Sequence, residues 1–194
     1  MASGTASCSS RGTRPRAACS TRRMLDEALS LAKTVMPRGH IDAWNGIWMD
    51  HFASTTVSGH DTDDAAMALA VCSDEKMGLR RGMHECWKYA PTAFLLHRPR
   101  TYAGALTWCY EGCSGSGAGC ETSCVRGVGM QTFKENLDNM SLVGRVCHEA
   151  KSFALASSCL AGATNYYFFA TGKKVPESYC EQIKDVNLRR TCRR

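Results

Sequence analysis

Four cysteines carry the most specific chemistry in the chain. Cys109 and Cys113 are four residues apart, as are Cys120 and Cys124, and the six residues between the two pairs are serine, glycine and alanine only. Residues four apart share one face of a helix, and a run of Ser, Gly and Ala is turn composition. The spacing therefore draws a helix, a tight turn and a second helix, each with two cysteines on one side. Folded antiparallel, Cys113 meets Cys120 and Cys109 meets Cys124. Packed helix axes lie about 8–10 Å apart with Cα atoms about 2.3 Å from each axis, so facing Cα atoms approach to roughly 3.4–5.4 Å, overlapping the roughly 4.4–6.8 Å window of a disulfide.

Other thiol chemistries fit less well. Four thiolates can hold zinc tetrahedrally, but the usual knuckle is CX2C, with its cysteines three apart on a turn. A nucleophilic thiol needs a base beside it in the fold. Cys147-His148 and His84-Glu85-Cys86 supply only neighbours in sequence. CXXC redox pairs and the CXXCH haem motif are both absent. Structural disulfides are the reading these comparisons leave strongest, with no metal, cofactor or catalytic residue expected.

A looser version of the pattern follows. Cys147 and Cys159 are twelve apart, and so are Cys180 and Cys192. A nested pairing, Cys159 with Cys180 and Cys147 with Cys192, gives two arms of equal length and a second hairpin over residues 141–192. On one straight helix the two members of each pair would sit about 120° apart, which weakens this expectation. Cys72 and Cys86, fourteen apart, are expected to bridge a third and a fourth helix. Cys8 and Cys19 have no assignable partner. Twelve cysteines in 194 residues argue against a typical cytosolic enzyme, whose thiols are few and kept reduced.

The elements that must position these cysteines all read as helices. Leu25, Ala28, Leu29, Ala32 and Val35 share a face, and Ile41, Trp44, Ile47, Trp48 and Phe52 repeat at three and four. A third helix opens at Thr62-Asp63-Asp64, carries Ala66, Leu69, Ala70 and Met77, and ends near Gly82. A fourth runs from Met83 to about Leu96, kinked by Pro91. Two pieces over about 101–113 and 119–129 flank the glycine-rich turn, and Phe133 and Leu137 suggest one short extra turn. Ser141 opens a long helix to about Leu160, while residues 161–171 are ambiguous. Pro176 opens a last helix, with Tyr179, Ile183 and Val186 on its apolar side. The expected class is all-α: disulfide-stapled antiparallel helical hairpins, over about 101–130 and 141–192, in one domain spanning residues 24–194 behind an N-terminal arm.

Charge is confined to that arm. The chain carries a formal +6, and residues 1–23 hold Arg11, Arg14, Arg16, Arg22 and Arg23 with no acid, leaving 19 basic against 18 acidic residues in the body. Nucleic-acid binding would need a basic patch on the folded body. The body offers only Arg189, Arg190, Arg193 and Arg194, so no nucleic-acid partner is expected. The arm's Arg- and Ser-rich, acid-free composition is that of a mitochondrial transit peptide, and it lacks the apolar stretch of a secretory signal. No run of about 20 apolar residues is present to span a membrane.

Other candidate sites have plainer explanations. His60-Asp61-Thr62-Asp63-Asp64 does not fit an EF-hand loop and reads as a turn and helix start. His40, Asp42, Asp50 and His51 read as a solvated face. Gly115, Gly117 and Gly119 lack the strand and spacing of a dinucleotide site. Asn139-Met140-Ser141 is a glycosylation sequon, relevant only to a secreted chain. A secreted phospholipase would carry adjacent cysteines before its His-Asp pair, and none are adjacent here. Trp44, Trp48, Trp87 and Trp108 default to core packing. Residues 166–169, Tyr-Tyr-Phe-Phe, cannot all bury on one helix face, so part of the run is free for a protein partner or lipid headgroups.

The spacing Cys109-x3-Cys113-x6-Cys120-x3-Cys124 resembles the twin CX3C hairpin of the small Tim chaperones and plant α-hairpinins. Cys147-x11-Cys159 with Cys180-x11-Cys192 resembles a stretched twin CX9C pattern of coiled-coil–helix–coiled-coil–helix (CHCH) proteins. The loop is far shorter than in the small Tims and the outer arms are two residues longer than CX9C. The resemblance implies helical hairpins stapled by nested disulfides, and the mitochondrial intermembrane space. The expected role is a structural, non-enzymatic accessory subunit of a large membrane complex of the respiratory-chain kind. It would face the intermembrane space from the inner membrane and take other subunits as partners. The alternatives are a secreted cysteine-rich defence or binding protein, and a metal- or redox-handling protein.

Overall fold

The structure, a computed structural model, describes residues 25–31, 41–57, 69, 71–72, 80–96, 101–116 and 119–194. The arm over 1–23 with Cys8 and Cys19, residues 60–64, His40, Met77 and Gly117 lie outside the described residues, as does the side chain of Asp42. Residues 25–31 are helical. The helices whose bounds lie among the described residues are α1 (Ile41–Val57), α2 (Arg80–Leu96), α3 (Tyr102–Gly112), α4 (Cys120–Glu135), α5 (Met140–His148), α6 (Phe153–Thr171), α7 (Glu177–Glu181) and α8 (Val186–Cys192), and residues 69 and 71–72 are also helical. No strand occurs among the described residues. The fold is all-α and disulfide-stapled.

Short polar residues set the helix starts. Thr101, Asn139, Ser152 and Asp185 each accept a hydrogen bond from a backbone N–H three residues on, at Gly104, Leu142, Leu155 and Leu188, which satisfies amides that have no partner inside the helix. α6 ends at Gly172, whose positive φ of 68° lets its N–H return to the carbonyl of Phe168 at 2.8 Å. α2 passes through Pro91, which is buried.

Several boundaries differ from the sequence reading. The single helix expected over 141–160 is two helices. α5 stops at His148, the chain turns, and Ser152 caps α6. The turn is held from outside, because the Lys151 N–H donates to the Tyr110 hydroxyl at 3.1 Å. α6 then runs through all of 161–171. α4 continues to Glu135 and absorbs Phe133, for which a separate turn was expected. The last helix is broken too: α7 has five residues, and Val186 starts α8 and is exposed.

α4 is the central element. It packs most broadly on α6, also on α2, α3 and α5, and is buried almost all round. Glycine allows this. A Cβ at Gly127 would lie 1.9 Å from the carbonyl oxygen of Lys88 in α2, and one at Gly129 the same distance from that of Cys159 in α6. Reciprocally, a Cβ at Gly162 in α6 would lie 1.9 Å from the carbonyl oxygen of Arg126. Backbone therefore meets backbone on two sides of α4. Around these contacts sit Val125, Val128, Phe133, Val143 and Leu160, while Trp44, Trp48, Trp87 and Trp108 fill the end of the core formed by α1, α2 and α3. None of the four tryptophans is a surface residue.

Candidate functional site: the disulfide frame and the end of α6

The twin CX3C segment closes as two nested bridges. Cys109 bonds Cys124 and Cys113 bonds Cys120, with Cα–Cα distances of 5.6 and 5.5 Å. The turn between them depends on Gly119 at φ +110°, where a Cβ would lie 2.4 Å from His84 Cε1. Both the backbone conformation and the space there require glycine. His84 packs edge-on to Trp87 and its Nδ1 is 2.9 Å from Ser123 Oγ. The hairpin is thus seated on α2 by an imidazole. Cys72 bonds Cys86, tying residue 72 to α2.

The outer cysteines pair differently from the nested expectation. Cys147 bonds Cys159, and Cys180 bonds Cys192; Cys147–Cys192 and Cys159–Cys180 do not form. The breaks after α5 and α7 are the reason. Twelve residues along an unbroken helix would face their cysteines apart. A turn between two helices brings them to Cα–Cα distances of 5.4 and 5.6 Å. Residues 141–192 are therefore two successive stapled corners, α5–α6 and α7–α8, and not one long nested hairpin.

No described cysteine is free. Cys86 and Cys147 are bonded, so neither His84-Glu85-Cys86 nor Cys147-His148 forms a thiol–imidazole pair. Glu85 pairs with Lys88, whose Nζ also donates to Asn45 Oδ1 at 3.1 Å. Asp50 is exposed, and His51 packs edge-on to Trp48 in α1. No group of three His, Cys, Asp or Glu side chains is placed to hold a metal among the described residues.

His148 Nδ1 lies 3.2 Å from Asp185 Oδ2, linking α5 to the start of α8. The Leu188 N–H that Asp185 caps, with His148 beside it, holds the Asp185 carboxyl below the usual carboxylate range. A lowered folded pKa stabilises the fold above the unfolded value of about 3.9, and that contribution is lost as pH falls through the folded value. Asp185→Asn keeps a capping oxygen and removes the charge. It is expected to flatten the acid limb of a melting-temperature-against-pH curve, whereas Asp185→Ala lowers melting at neutral pH as well.

Tyr102 bridges α3 to the end of α4. Its hydroxyl donates to Glu135 Oε2 at 2.7 Å and accepts from Asn136 Nδ2 at 2.7 Å. Burial first, and then the Glu135 carboxylate, push the phenol up to about 12 from 10.0. A raised folded pKa means stability is intact below pH 10.0 and lost as pH rises towards about 12. Burial raises the Tyr110 phenol as well, so phenolate titration in the near ultraviolet should show late ionisation to which Tyr102 contributes one step. Tyr102→Phe should remove that step and soften alkaline unfolding.

The aromatic run at the end of α6 divides in two. Tyr166 and Tyr167 pack edge-on to Phe133, at 6.3 and 6.0 Å between ring centroids, and Tyr167 also meets Tyr179. Phe168 is 57% exposed and Phe169 77% exposed. The basic C-terminal end is partly self-neutralised. Arg193 reaches Glu177 and Glu181 at 3.2 and 3.6 Å, and Arg189 donates to the carbonyls of Ile183 and Lys184.

Sequence reasoning missed the glycines of α4 and α6. The available signal was a glycine inside an otherwise helical run, which marks close packing when it is not a cap. The class that fold and frame define is a small helical, disulfide-rich protein. No family model, curated protein or solved structure matches the chain.

Proposed function

We propose that the protein is a structural accessory subunit of a large mitochondrial membrane complex, of the respiratory-chain kind, exposed to the intermembrane space. The observation that carries this reading is the nested Cys109–Cys124 and Cys113–Cys120 staple. It has the arrangement of the twin CX3C hairpins of that compartment and sits in a helical body whose described cysteines are all bonded. Such pairing persists in oxidising compartments and not in a glutathione-reduced cytosol. The bonded thiols offer neither a nucleophile nor a soft metal ligand, and rigid stapled helices with exposed apolar side chains suit docking. Leu137 and Phe153, 64% and 56% exposed, are the first candidates for contact with neighbouring subunits.

Native electrophoresis of solubilised mitochondrial membranes, followed by mass spectrometry of each slice, tests the proposal. The chain is expected to migrate with an assembly many times its own mass. Migration only as a free small protein overturns it. A secreted role keeps one specific support, since Asn139 of the sequon is exposed. A mobility shift on glycosidase treatment would select that role.

A further inference from the structure

We infer that the exposed end of α6 is a membrane-surface contact, in which Phe168 and Phe169 enter the headgroup region of a bilayer and Lys173 and Lys174 bind anionic phospholipid. The inference rests on the membrane-side reading above and names the partner of this one face. Residues 168–174 are exposed without interruption, so the helix end projects beyond the core that holds Tyr166 and Tyr167. Within those seven residues stand two phenylalanines and two lysines, and no acid occurs between Glu149 and Glu177.

The nearby carboxylates are already engaged. Glu177 and Glu181 pair with Arg193, and Asp138 accepts the Tyr179 hydroxyl. Among the described residues no ion pair engages Lys173 or Lys174. The tip is therefore apolar and positively charged, with no ion pair among the described residues to neutralise it. Phenylalanine beside lysine is the pairing that lies in a bilayer interface and gains from a negative leaflet. An acidic protein surface would match the charge, but two adjacent phenylalanines more than half exposed to water gain most from acyl chains. No described helix is long and apolar enough to cross a membrane, so the contact is peripheral. Its strength should lie below the roughly 10⁴ M⁻¹ of a single myristoyl chain.

The test is co-sedimentation of the purified, disulfide-bonded full chain with vesicles at millimolar lipid. One set is phosphatidylcholine alone and the other contains about a quarter phosphatidylglycerol. The chain is expected to pellet with the anionic set and at least tenfold less with the neutral set. Phe168→Ser with Phe169→Ser, and separately Lys173→Glu with Lys174→Glu, should each weaken binding by about tenfold or more. Phe168→Trp with Phe169→Trp should keep binding and show blue-shifted indole fluorescence on the anionic vesicles. All these positions are exposed, so circular dichroism should be unchanged.

Absence of binding overturns the inference. So does binding that survives the tip variants but falls with Arg190→Glu and Arg194→Glu, or capture of the tip by an acidic protein without vesicle affinity. The measurement uses the isolated protein, so a chain that migrates with a large complex yet ignores vesicles loses this inference alone. One that binds vesicles but joins no complex loses the functional proposal alone.

Discussion

Gly129→Ala should destabilise the protein by about 2–4 kcal/mol, while Gly46→Ala, the same change in another helix, should stabilise it by about 0.5–1 kcal/mol. At Gly129 the new Cβ would fall 1.9 Å from the Cys159 carbonyl oxygen and 2.6 Å from its carbon. Those are backbone atoms of α6 and cannot turn aside as a side chain can. The two helices must part by more than an ångström along the broadest interface in the fold. A radial gap of 0.5–1 Å already forfeits a quarter to a half of each dispersion contact. Higher helix propensity returns at most about 1 kcal/mol. Gly46 is exposed in α1, with nothing within 4 Å of its Cβ position, so only the propensity gain remains. Thermal or urea unfolding of the oxidised protein separates the two. For a chain of this size the Gly129→Ala midpoint should fall by roughly 5–15 °C. Gly162→Ala strains the same α4–α6 contact, so the double variant should lose less than the sum of the singles.

Removal of the outer hairpin bridge, by Cys109→Ala with Cys124→Ala, should cost about 3 kcal/mol, against about 2.4 kcal/mol for Cys113→Ala with Cys120→Ala. The difference comes from the separations of 15 and 7 residues that the bridges close, since a longer closed loop removes more entropy from the unfolded chain. Cys109 and Cys124 are also wholly buried, so their loss leaves space between α3 and α4 that the tight turn cannot close. Denaturant midpoints under non-reducing conditions measure both. An outer pair that costs less than the inner one would show that the bridges act through strain or residual unfolded-state structure, and not through chain entropy.

How much the sequence disclosed depends on how local the determining interaction is. The α3–α4 hairpin was legible because everything that makes it is local: two x3 spacings and a turn of Ser, Gly and Ala. The pairing of Cys147 and Cys180 was not read correctly. Helical periodicity across residues 141–160 concealed the break after His148, although Ser152 before Phe153 is a capping signal in its own right. Asp185 before Val186 is the same signal before α8. The glycines at 127, 129 and 162 were missed for a different reason. A glycine in a helix reads as a weak helix former until the partner backbone is in place, and those partners lie 39, 30 and 36 residues away at Lys88, Cys159 and Arg126. The aromatic run was half legible, because four consecutive rings cannot share a face. Which two turn outward depends on where Phe133 and Tyr179 stand.

Disulfide mapping of the native protein, after its free thiols are blocked, tests whether this body of helices is stapled as described. Cleavage after glutamate discriminates the hairpin pairings, because Glu111 and Glu121 separate the four cysteines into three pieces. The middle piece, residues 112–121, should be released with an internal Cys113–Cys120 bond while its flanks stay joined through Cys109–Cys124. Trypsin, cutting at Lys151 and Lys184, should yield Cys147–Cys159 and Cys180–Cys192 as linked peptides. Blocked, unpaired cysteines at these positions, or a Cys147–Cys192 linkage, would contradict this pairing.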